Sequence, residues 1–404
     1  MASSATAVMR SGSPLGCPEK TLAASIPSHY ALPMTTDSDF EIFLVAAPGL
    51  EKMLFAEARA KGFASARYVP GGVTMRGGWA DVWRANLEIR GAGRVLARID
   101  SFKVLHLADL DKRARKVAWG DVLRRDVPFR VEVTCAKSRI YHSDAAAERI
   151  ERAIRVELGA PHSDEAEVTI RARIDHDICT ISVDTSGELL HKRGHKEAVN
   201  AAPMRETMAS LFLRQCGYDG SEPVVDPMCG SGTFVIEAAE IAAGLQPGRS
   251  RHFAFEKLAT VDWKAWQAMR AAQTSITPAF RFYGSDRDPG AIAKSLANAV
   301  RAGVTAFTDF ACHPVSELVA PAGPPGLVIV NPPYGDRIGD KSKLSTLYRA
   351  LGQTLMTKFK GWRVGLITSE NDLAHATGLP FLPTTAPVAH GALRVTLWQT
   401  GVLV

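Results

Sequence analysis

The sequence predicts an α/β protein whose C-terminal half forms a doubly wound, mainly parallel sheet with an antiparallel last strand, preceded by an α+β region. Three observations predict this class. A short apolar run ends at Val225 and is followed by a glycine turn and a helical pattern. A second apolar run, 326–330, ends in two consecutive prolines. Strand and helix patterns alternate after residue 203 and finish with strand patterns at 382–390 and 391–400.

The composition limits the class of protein. Of the 404 residues, 46% are apolar and 22% are charged, as in an ordinary globular protein of two or three domains. No apolar run approaches the roughly 18 residues of a membrane span, so no membrane association is expected. The formal net charge of +6 is compatible with a polyanionic partner but does not require one.

The six cysteines are scattered, with no Cys-x-x-Cys pair and no histidine pair at metal-ligand spacing. This pattern predicts a reducing, cytoplasmic location and no metal site. Cys229 lies inside the glycine turn, where we interpret it as a small apolar filler and not as a nucleophile.

The N-terminal part divides by composition and pattern. Residues 1–38 are rich in Ser, Ala, Thr and Pro and are interpreted as a disordered extension, with a transit peptide as the minor alternative. Residues 39–100 are expected to form a first subdomain that opens with a strand at 40–45 and a helix ending near Lys61. Four arginines of this subdomain form either an RNA-facing stripe or, the interpretation we favour, a solvated face. They are Arg84, Arg90, Arg94 and Arg98.

Residues 101–190 are expected to form a second α+β unit. A helix is predicted at 109–123, with four basic residues that either contact phosphates or keep the surface soluble. A strand at 129–136, a helix capped by Ser143 and a hairpin at 168–183 follow. The basic residues of the first helix are Lys112, Arg113, Arg115 and Lys116.

The glycine turn after Val225 has the chemistry of a ligand cradle. Asp226 is expected at the carboxyl end of a buried strand, where open parallel sheets bind their ligands. Gly230 and Gly232 allow left-handed backbone angles and a close approach of a ligand to the main chain. Ser231 or Thr233 is expected to cap the following helix. Because no lysine follows the glycines, a nucleoside without a phosphate chain fits better than a nucleotide.

The second apolar run is followed by hydrogen-bond acceptors and an aromatic ring. Pro332 and Pro333 fix φ and remove two backbone donors, so their carbonyls remain as acceptors. Asn331 adds a side-chain carbonyl and Tyr334 an aromatic face. Such a corner suits a planar base that carries an exocyclic amine.

A third strand pattern ends at Asp286, whose carboxylate can accept hydrogen bonds from both hydroxyls of a ribose. Asp288, two residues later, is expected to cap the next helix.

The two runs together resemble motif I and motif IV of class I S-adenosylmethionine-dependent methyltransferases that modify exocyclic amino groups. The runs Asp226-Pro227-Met228-Cys229-Gly230-Ser231-Gly232-Thr233 and Asn331-Pro332-Pro333-Tyr334-Gly335-Asp336-Arg337 resemble, more narrowly, the THUMP-domain RNA guanine-N2 methyltransferases of 23S ribosomal RNA. The resemblance implies a ferredoxin-like subdomain at 39–100, a THUMP-like RNA-binding domain at 101–190 and a Rossmann-like methyltransferase domain at 191–404.

The resemblance also implies a cofactor, a partner and a set of site residues. The cofactor is S-adenosylmethionine and the partner is RNA, with no metal. Catalytic roles are implied for Asn331, Pro332, Pro333 and Tyr334. Asp309 and Phe310 follow a short apolar run and match the place where family members bind the adenine. Cofactor contacts are implied for Pro203, Asp226, Pro227, Cys229, Gly230, Ser231, Gly232, Thr233, Asp286, Arg287, Asp309 and Phe310. RNA contacts are implied for Lys137, Ser138, Arg139, Lys192 and Arg193.

One residue departs from the family pattern. His195 stands where the linker between the THUMP and catalytic domains is expected to carry a tyrosine, so an aromatic stacking role there is in doubt. We interpret His195 as a hydrogen-bonded linker residue and not as a catalytic base.

These features favour methyl transfer to the N2 amine of a guanosine in 23S ribosomal RNA. The alternatives that stay open are a tRNA guanine-N2 methyltransferase and a non-catalytic RNA-binding or ribosome assembly factor. Adenine-N6 methylation of DNA ranks last because of the THUMP-like half. A second modification is not expected from a chain of this length, and the sequence leaves the oligomeric state open.

Overall fold

A computed structural model describes residues 39–197, 204–334, 341–391 and 393–404. The interpretation of residues 1–38 and the expected cofactor contact at Pro203 lie outside the described residues, as do Gly335, Asp336 and Arg337.

The first part of the fold is a seven-stranded sheet in the spatial order β2-β3-β1-β4-β7-β6-β5. All neighbouring strands run antiparallel except β5 and β6, which are parallel. The expected boundary between residues 100 and 101 falls inside β4, so one sheet carries both N-terminal units. The strands are β1 Phe40–Val45, β2 Arg67–Val69, β3 Gly72–Gly77, β4 Arg94–Lys103, β5 Phe129–Ala136, β6 Val168–Asp175 and β7 Ile178–Asp184.

The helices of this part are shorter than the sequence predicts. The helix expected at 109–123 ends at Ala114, and a 3-10 turn, Trp119–Asp121, follows it. Ser143 is the first residue of its helix and does not cap it, since His142 occupies the N-cap position without a side-chain hydrogen bond. The helices are α1 Glu51–Ala60, α2 Trp79–Glu88, α3 Leu107–Ala114 and α4 Ser143–Glu157.

The second part is another seven-stranded sheet, in the order β10-β9-β8-β11-β12-β14-β13. The first five strands of that order are parallel, whereas β14 runs antiparallel to β12 and β13 antiparallel to β14. This confirms the doubly wound sheet with an antiparallel end. The strands are β8 Val224–Asp226, β9 Phe282–Asp286, β10 Thr308–Cys312, β11 Leu327–Val330, β12 Arg363–Thr368, β13 Val388–His390 and β14 Leu393–Gln399.

The helices of the second part follow its strands as a doubly wound sheet requires. The side chain of Asp288 caps α8 by accepting from the N–H of Gly290 at 2.9 Å, as expected. The helices are α5 Glu206–Gln215, α6 Thr233–Ala242, α7 Trp263–Ala271, α8 Pro289–Ala302, α9 Lys341–Lys358 and α10 Asn371–Ala376. Among the residues described, no helix is long and apolar enough to cross a membrane.

A buried ionic cluster joins the two sheets. The guanidinium of Arg90 lies 3.0 Å from Glu237 and 3.1 Å from Glu240, both on α6. Arg249 also pairs with Glu240, and Arg193 with Glu237 at 3.2 Å. Burial by itself would raise the pKa of Glu240, but the neighbouring cations, Arg90 first, hold that pKa below its ordinary value.

Two of the four N-terminal arginines, Arg90 and Arg94, therefore do not belong to a solvated face or to an RNA-facing stripe. Arg90 is buried, and Arg94 is paired with the fully buried Asp184. Arg98 pairs with Glu41 at 2.7 Å and Arg84 with Asp81 at 3.5 Å. The expectation was wrong for Arg90 and Arg94 because their partners lie on distant elements of the chain, which spacing does not reveal. The partners are Asp81, Glu41, Asp184, Glu237 and Glu240.

Candidate active site

The site lies where the strand order of the second sheet reverses. Adjacent strands β8 and β11 are parallel, with Val225 opposite Val328, so their carboxyl ends meet at one edge of the sheet. From β8 the chain runs outward through β9 and β10, and from β11 it runs the other way to β12. Open α/β sheets bind their ligands at such a switch point. Asp226 and Asn331 stand at the ends of these two strands.

The loop after β8 takes the backbone shape that its glycines allow. Gly230 has φ of 55° and Gly232 of 83°, both in the left-handed region. Gly232 is the N-cap of α6, and it supplies no side-chain hydrogen bond to the helix. The expected cap by Ser231 or Thr233 was therefore wrong, and the amide groups of the first turn of α6 face the loop.

Helix α8 and the linker residue Lys196 hold this loop in place. The carbonyl of Ser231 accepts from the side chain of Asn298 at 3.0 Å, and that of Gly230 from Ser295 Oγ at 3.0 Å. The Thr233 hydroxyl accepts from Lys196 Nζ at 2.8 Å. Each contact restrains a loop residue of the expected cofactor set.

The Asp226 carboxyl is buried and only 2% exposed. Its pKa is raised to about 8, mainly by burial and to a smaller extent by the nearby Asp286, while the Met228 N–H, which donates to Oδ1 at 3.1 Å, acts in the opposite direction. In the cofactor-free chain, the Asp226 carboxyl is therefore protonated near neutral pH.

Asp286 ends β9 beside the same loop. Its Oδ2 accepts from the Gly230 N–H at 3.0 Å and its Oδ1 from the Asp288 N–H at 3.0 Å. The preceding residue, Ser285, has a buried Oγ that finds no hydrogen-bond partner among the residues described. The exposed Arg287 follows Asp286 at the rim.

Cys229 packs inside the loop as the sequence analysis expects. It is 6% exposed, and its Sγ lies 3.8 Å from Ser295 Oγ. Burial raises the pKa of this thiol well above its ordinary value, and Asp226 adds to the shift. A thiol that stays protonated is a poor nucleophile.

Of the two residues expected at the adenine, Phe310 lies near the loop and Asp309 does not. The Phe310 ring fills the space above Gly284, where a Cβ would lie 2.6 Å from the ring and 3.1 Å from Cys229 Sγ. Asp309 is the second residue of β10, three before the strand end, which places it about 10 Å from that end. Its carboxylate is paired with Arg281.

The structure thus does not bring Asp309 to the carboxyl ends of the strands. The apolar run at 304–307, taken as a strand in the sequence analysis, is mainly the 3-10 turn Thr305–Phe307. The strand begins at Thr308, so the residue level with Asp286 is Cys312.

Asn331 presents the most specific chemical feature of the site. Its Oδ1 is buried and has no hydrogen-bond partner within the described ranges. A buried carbonyl oxygen left unpaired costs about 1–3 kcal/mol, so an N–H group brought to it is favoured. Pro332, which follows, is buried.

Two side chains that the sequence analysis did not identify hold the Asn331-Pro332-Pro333-Tyr334 segment. The fully buried Tyr348 of α9 donates its hydroxyl to the Pro333 carbonyl at 3.3 Å. His390 at the end of β13 forms a hydrogen bond with the Tyr334 hydroxyl through Nδ1. Both lie after the motif in the chain, and neither carries a pattern that singles it out.

Lys196 and Glu206 are two further buried residues beside the loop that the sequence analysis missed. Lys196 Nζ lies 3.1 Å from Glu206 Oε1 and 2.9 Å from the Met204 carbonyl. Burial raises the pKa of Glu206, and Lys196 acts against that shift. A lysine beside the glycine loop is identifiable only once the linker is known to fold back onto α6.

The expected RNA contacts separate into exposed and buried residues. Lys137 and Arg139 are exposed in the loop between β5 and α4, with Ser138 half-buried between them. Lys192 is 58% exposed and pairs with Glu188 at 2.8 Å. Arg193 is 2% exposed and donates to Glu237 and to the carbonyls of Leu190 and Arg90. Arg193 is therefore not available to RNA, because its donors are used inside the protein.

His195 is a buried linker residue in the structure. Its side chain is 4% exposed and lies 3.9 Å from Glu240, while its carbonyl accepts from Arg301 at 2.7 Å. Burial lowers the pKa of His195. In the described part of the chain, no group of three or more His, Cys, Asp or Glu residues is arranged to hold a metal ion.

Three domain families match this chain in order. Residues 41–96 match the RlmL ferredoxin-like domain, residues 106–184 the THUMP domain and residues 193–383 the RMKL-like methyltransferase domain. The matched residues include the glycine loop and the Asn331 segment.

Curated relatives match over most of this chain. The ribosomal RNA large subunit methyltransferase K/L of a Marinomonas species is 31% identical over 90% of this chain and 53% of its own length. The protein of that name from Psychromonas ingrahamii is 33% identical over 83% of this chain and 47% of its own. The chain thus spans about half the length of the curated relatives it matches.

Solved structures match the whole described fold. "A possible methylase" from Clostridium difficile 630 has a TM-score of 0.83 and 29% identity over 90% of this chain and 98% of its own. A candidate methyltransferase, SMU.472, complexed with S-adenosylhomocysteine, has a TM-score of 0.81 and is 26% identical over 89% of this chain and 97% of its own. A Listeria monocytogenes protein, described as a predicted N6-adenine-specific DNA methylase, has a TM-score of 0.80 and is 28% identical over 90% of this chain and 97% of its own.

The fold and the site together define a Rossmann-like methyltransferase with an N-terminal α+β region. The chain belongs to the THUMP-domain methyltransferases in which an RlmL ferredoxin-like domain, a THUMP domain and an RMKL-like methyltransferase domain follow one another.

Proposed function

We propose that this chain transfers a methyl group from S-adenosylmethionine to the exocyclic N2 amine of a guanosine in RNA, with 23S ribosomal RNA as the substrate. The observation that carries the proposal is the buried, unpartnered Oδ1 of Asn331 among the described residues, at the switch point of the sheet. The ribosomal RNA substrate is supported by the names of the curated relatives and by the THUMP domain.

The residues present fit this cofactor. Asp286 supplies a carboxylate at a strand end for ribose hydroxyls, and the glycine loop leaves the backbone open to a nucleoside. The first turn of α6 keeps its amide groups without a side-chain cap. Phe310 provides an apolar ring beside Cys229. When bound, S-adenosylmethionine supplies an electrophilic methyl group on a positively charged sulfur.

The chain's own residues raise the reactivity of the amine. The N2 lone pair of guanine is delocalised into the ring, which makes the nitrogen a poor nucleophile. Asn331 Oδ1 and the Pro332 carbonyl accept the two N–H bonds, and this favours a pyramidal nitrogen whose lone pair is available. As positive charge develops on that nitrogen, the same two oxygens stabilise it.

The remaining groups position the base. The Tyr334 ring stacks on the guanine, and Tyr348 fixes the segment through the Pro333 carbonyl. The alkylated nitrogen is acidic and releases its proton to water, so no strong general base is required. The target guanosine must leave its stack, at a cost of a few kcal/mol that stacking on Tyr334 and contacts to the RNA backbone offset.

A second candidate has a specific observation in its favour. The Listeria monocytogenes structure is described as a methylase of adenine N6 in DNA, and an Asn-Pro-Pro-Tyr corner accepts any aryl amine. The THUMP domain favours RNA over this candidate. Methylation of tRNA guanine and a non-catalytic role in ribosome assembly are the remaining alternatives.

Transfer of labelled methyl groups separates these candidates. The purified chain is incubated with labelled S-adenosylmethionine and with unmodified 23S ribosomal RNA, tRNA or DNA, and the products are digested to nucleosides. The proposal predicts N2-methylguanosine from ribosomal RNA. Label in N6-methyladenine contradicts it, and cofactor binding without transfer to any of the three supports the assembly-factor alternative.

A further inference from the structure

Tyr141 is the most exposed of the Phe, Tyr and Trp residues in the described ranges, with 72% of its surface accessible. It lies in the loop of residues 137–142 between β5 and α4, which we call the Tyr141 loop. Its ring centroid lies 4.1 Å from that of His142, which is also exposed, at an interplanar angle of 42°. An exposed aromatic face of this kind is a surface on which an unpaired base can stack.

The Tyr141 loop is held rigidly against the turn between β6 and β7. The Ser138 hydroxyl accepts from the Asp177 N–H at 3.0 Å, and Asp177 Oδ1 accepts from the Arg139 N–H at 2.8 Å. Ile140 anchors the loop in the core at 5% exposure. The loop therefore presents Tyr141 in a fixed place.

The backbone on both sides of this contact takes left-handed angles. Lys137, His176 and Asp177 have φ of 48°, 51° and 62°, and within the described ranges no other non-glycine residue has a positive φ. His176 and Asp177 are the two central residues of the β6–β7 hairpin, where a two-residue turn favours such angles. All three lie at the Tyr141 loop or at the turn that holds it.

The Tyr141 loop carries two exposed cations, Lys137 and Arg139. Arg139 lies 3.9 Å from Asp177 Oδ2, a long contact that leaves its side chain 64% exposed. The charges on the adjoining β6–β7 hairpin are already paired. Asp175 pairs with both Arg173 and His176 at 2.9 Å. Likewise, a cavity of about 730 Å³ on the neighbouring sheet face has its guanidinium groups already paired with carboxylates. The loop, and not the cavity, offers cations to a phosphate backbone.

We propose that Tyr141 is a stacking platform for an unpaired base of the RNA, with Lys137 and Arg139 contacting the phosphates beside that base. The inference rests on the proposed function, which supplies RNA as the substrate. An aromatic face with cations beside it binds single strands without strict sequence preference. Bases inside an A-form duplex remain stacked on each other and cannot reach such a ring. The loop therefore selects a single-stranded segment of the RNA.

The test measures binding of the full chain to a short fluorescent single-stranded RNA and to the same strand annealed to its complement, by anisotropy. Tyr141→Ala weakens single-strand binding by about 5- to 100-fold and changes duplex binding little. Tyr141→Phe, which keeps the ring, binds as wild type. Tyr68→Ala is the matched control, because Tyr68 is 53% exposed on β2, and it also binds as wild type.

Any of three results would overturn the inference. Tyr141→Ala could bind single strands as tightly as wild type, or Tyr68→Ala could weaken single-strand binding as much as Tyr141→Ala does. The third is a loss of single-strand affinity in Tyr141→Phe as large as that in Tyr141→Ala. Thermal unfolding and S-adenosylmethionine binding of each variant establish that the fold is intact. The proposed function is tested by a different result. If the wild-type chain methylates no RNA but Tyr141→Ala still weakens single-strand binding, the proposed function is wrong and the inference about Tyr141 stands.

Discussion

The hydroxyl oxygen of Tyr334 lies 3.3 Å from Nδ1 of His390, a residue 56 positions later in the chain. His390 ends β13, the last strand of the sheet order, so the antiparallel hairpin of β13 and β14 reaches back to the Asn331 segment. The contact makes the end of the fold part of the base-binding corner. It also gives the Tyr334 ring a fixed orientation, which stacking on a base requires.

Loss of the His390 hydrogen bond is expected to slow methyl transfer. His390→Ala and Tyr334→Phe each lower kcat by about 2- to 10-fold, the value of one hydrogen bond, and leave S-adenosylmethionine binding unchanged. The double variant is no slower than either single variant, because both changes remove the same contact. His390→Gln, which can still bond the hydroxyl, recovers activity. Additive losses in the double variant would show that the two residues act independently.

The Asp286 carboxylate is expected to dominate cofactor binding. Asp286→Asn weakens S-adenosylmethionine binding, measured by calorimetry, by about 10- to 100-fold, because charge-assisted hydrogen bonds to ribose are worth about 1.5–3 kcal/mol. Asp309→Asn is the matched control and binds the cofactor as wild type, since Asp309 lies early in β10 against Arg281. If Asp309→Asn lost more S-adenosylmethionine affinity than Asp286→Asn, the adenine contact that the family resemblance implies for Asp309 would be supported after all.

The buried Asp226 makes the stability of the cofactor-free chain depend on pH. Its carboxyl keeps a proton up to pH about 8 in the folded chain but loses it near pH about 4 when unfolded. The folded state binds more protons in this window, so Asp226 lowers stability as the pH rises, by up to about 1.4 kcal/mol per pH unit. Asp226→Asn removes this dependence while keeping an acceptor for the Met228 N–H.

Urea unfolding of both proteins at several pH values measures this effect. The free energy of unfolding of Asp226→Asn, relative to wild type, is expected to increase from about pH 5 to about pH 7. A difference that stays constant over that range would show that the Asp226 pKa is not raised.

The buried cluster between the two sheets predicts a large loss of stability at Arg90. Arg90→Ala removes a buried cation that pairs with both Glu237 and Glu240, so it lowers the free energy of unfolding by about 3–5 kcal/mol. Arg84→Ala is the control. Its partner Asp81 is partly exposed, so the cost is within about 1 kcal/mol. Equal costs for the two variants would mean that the cluster does not join the sheets.

The sequence predicts the strand ends of the site well and the contacts between distant segments poorly. Asp226 and Asn331 were identifiable because an apolar run that ends in a polar residue marks a strand end. Asp309 was misplaced because the apolar run before it is a 3-10 turn, which moves the strand end to Cys312. A shift of three residues is enough to take a side chain out of a site.

The remaining failures have one physical cause. Arg90 and Arg193 looked like surface cations because the carboxylate that they share, Glu237, lies 147 and 44 residues away in the chain. Tyr348 and His390 were missed for the same reason, since each forms a hydrogen bond with a residue of the Asn331 segment that lies far away in the chain. Periodicity identifies which side chains are buried, but it does not identify their partners.

The measurement that tests the central claim most directly is the rate of methyl transfer by Asn331→Ala under saturating S-adenosylmethionine and 23S ribosomal RNA. The account predicts a fall in kcat of about 100-fold or more, with cofactor binding and thermal stability close to wild type, because Oδ1 acts mainly on the developing positive charge. Transfer by Asn331→Ala at the wild-type rate would contradict the account, because the amine would then be activated elsewhere.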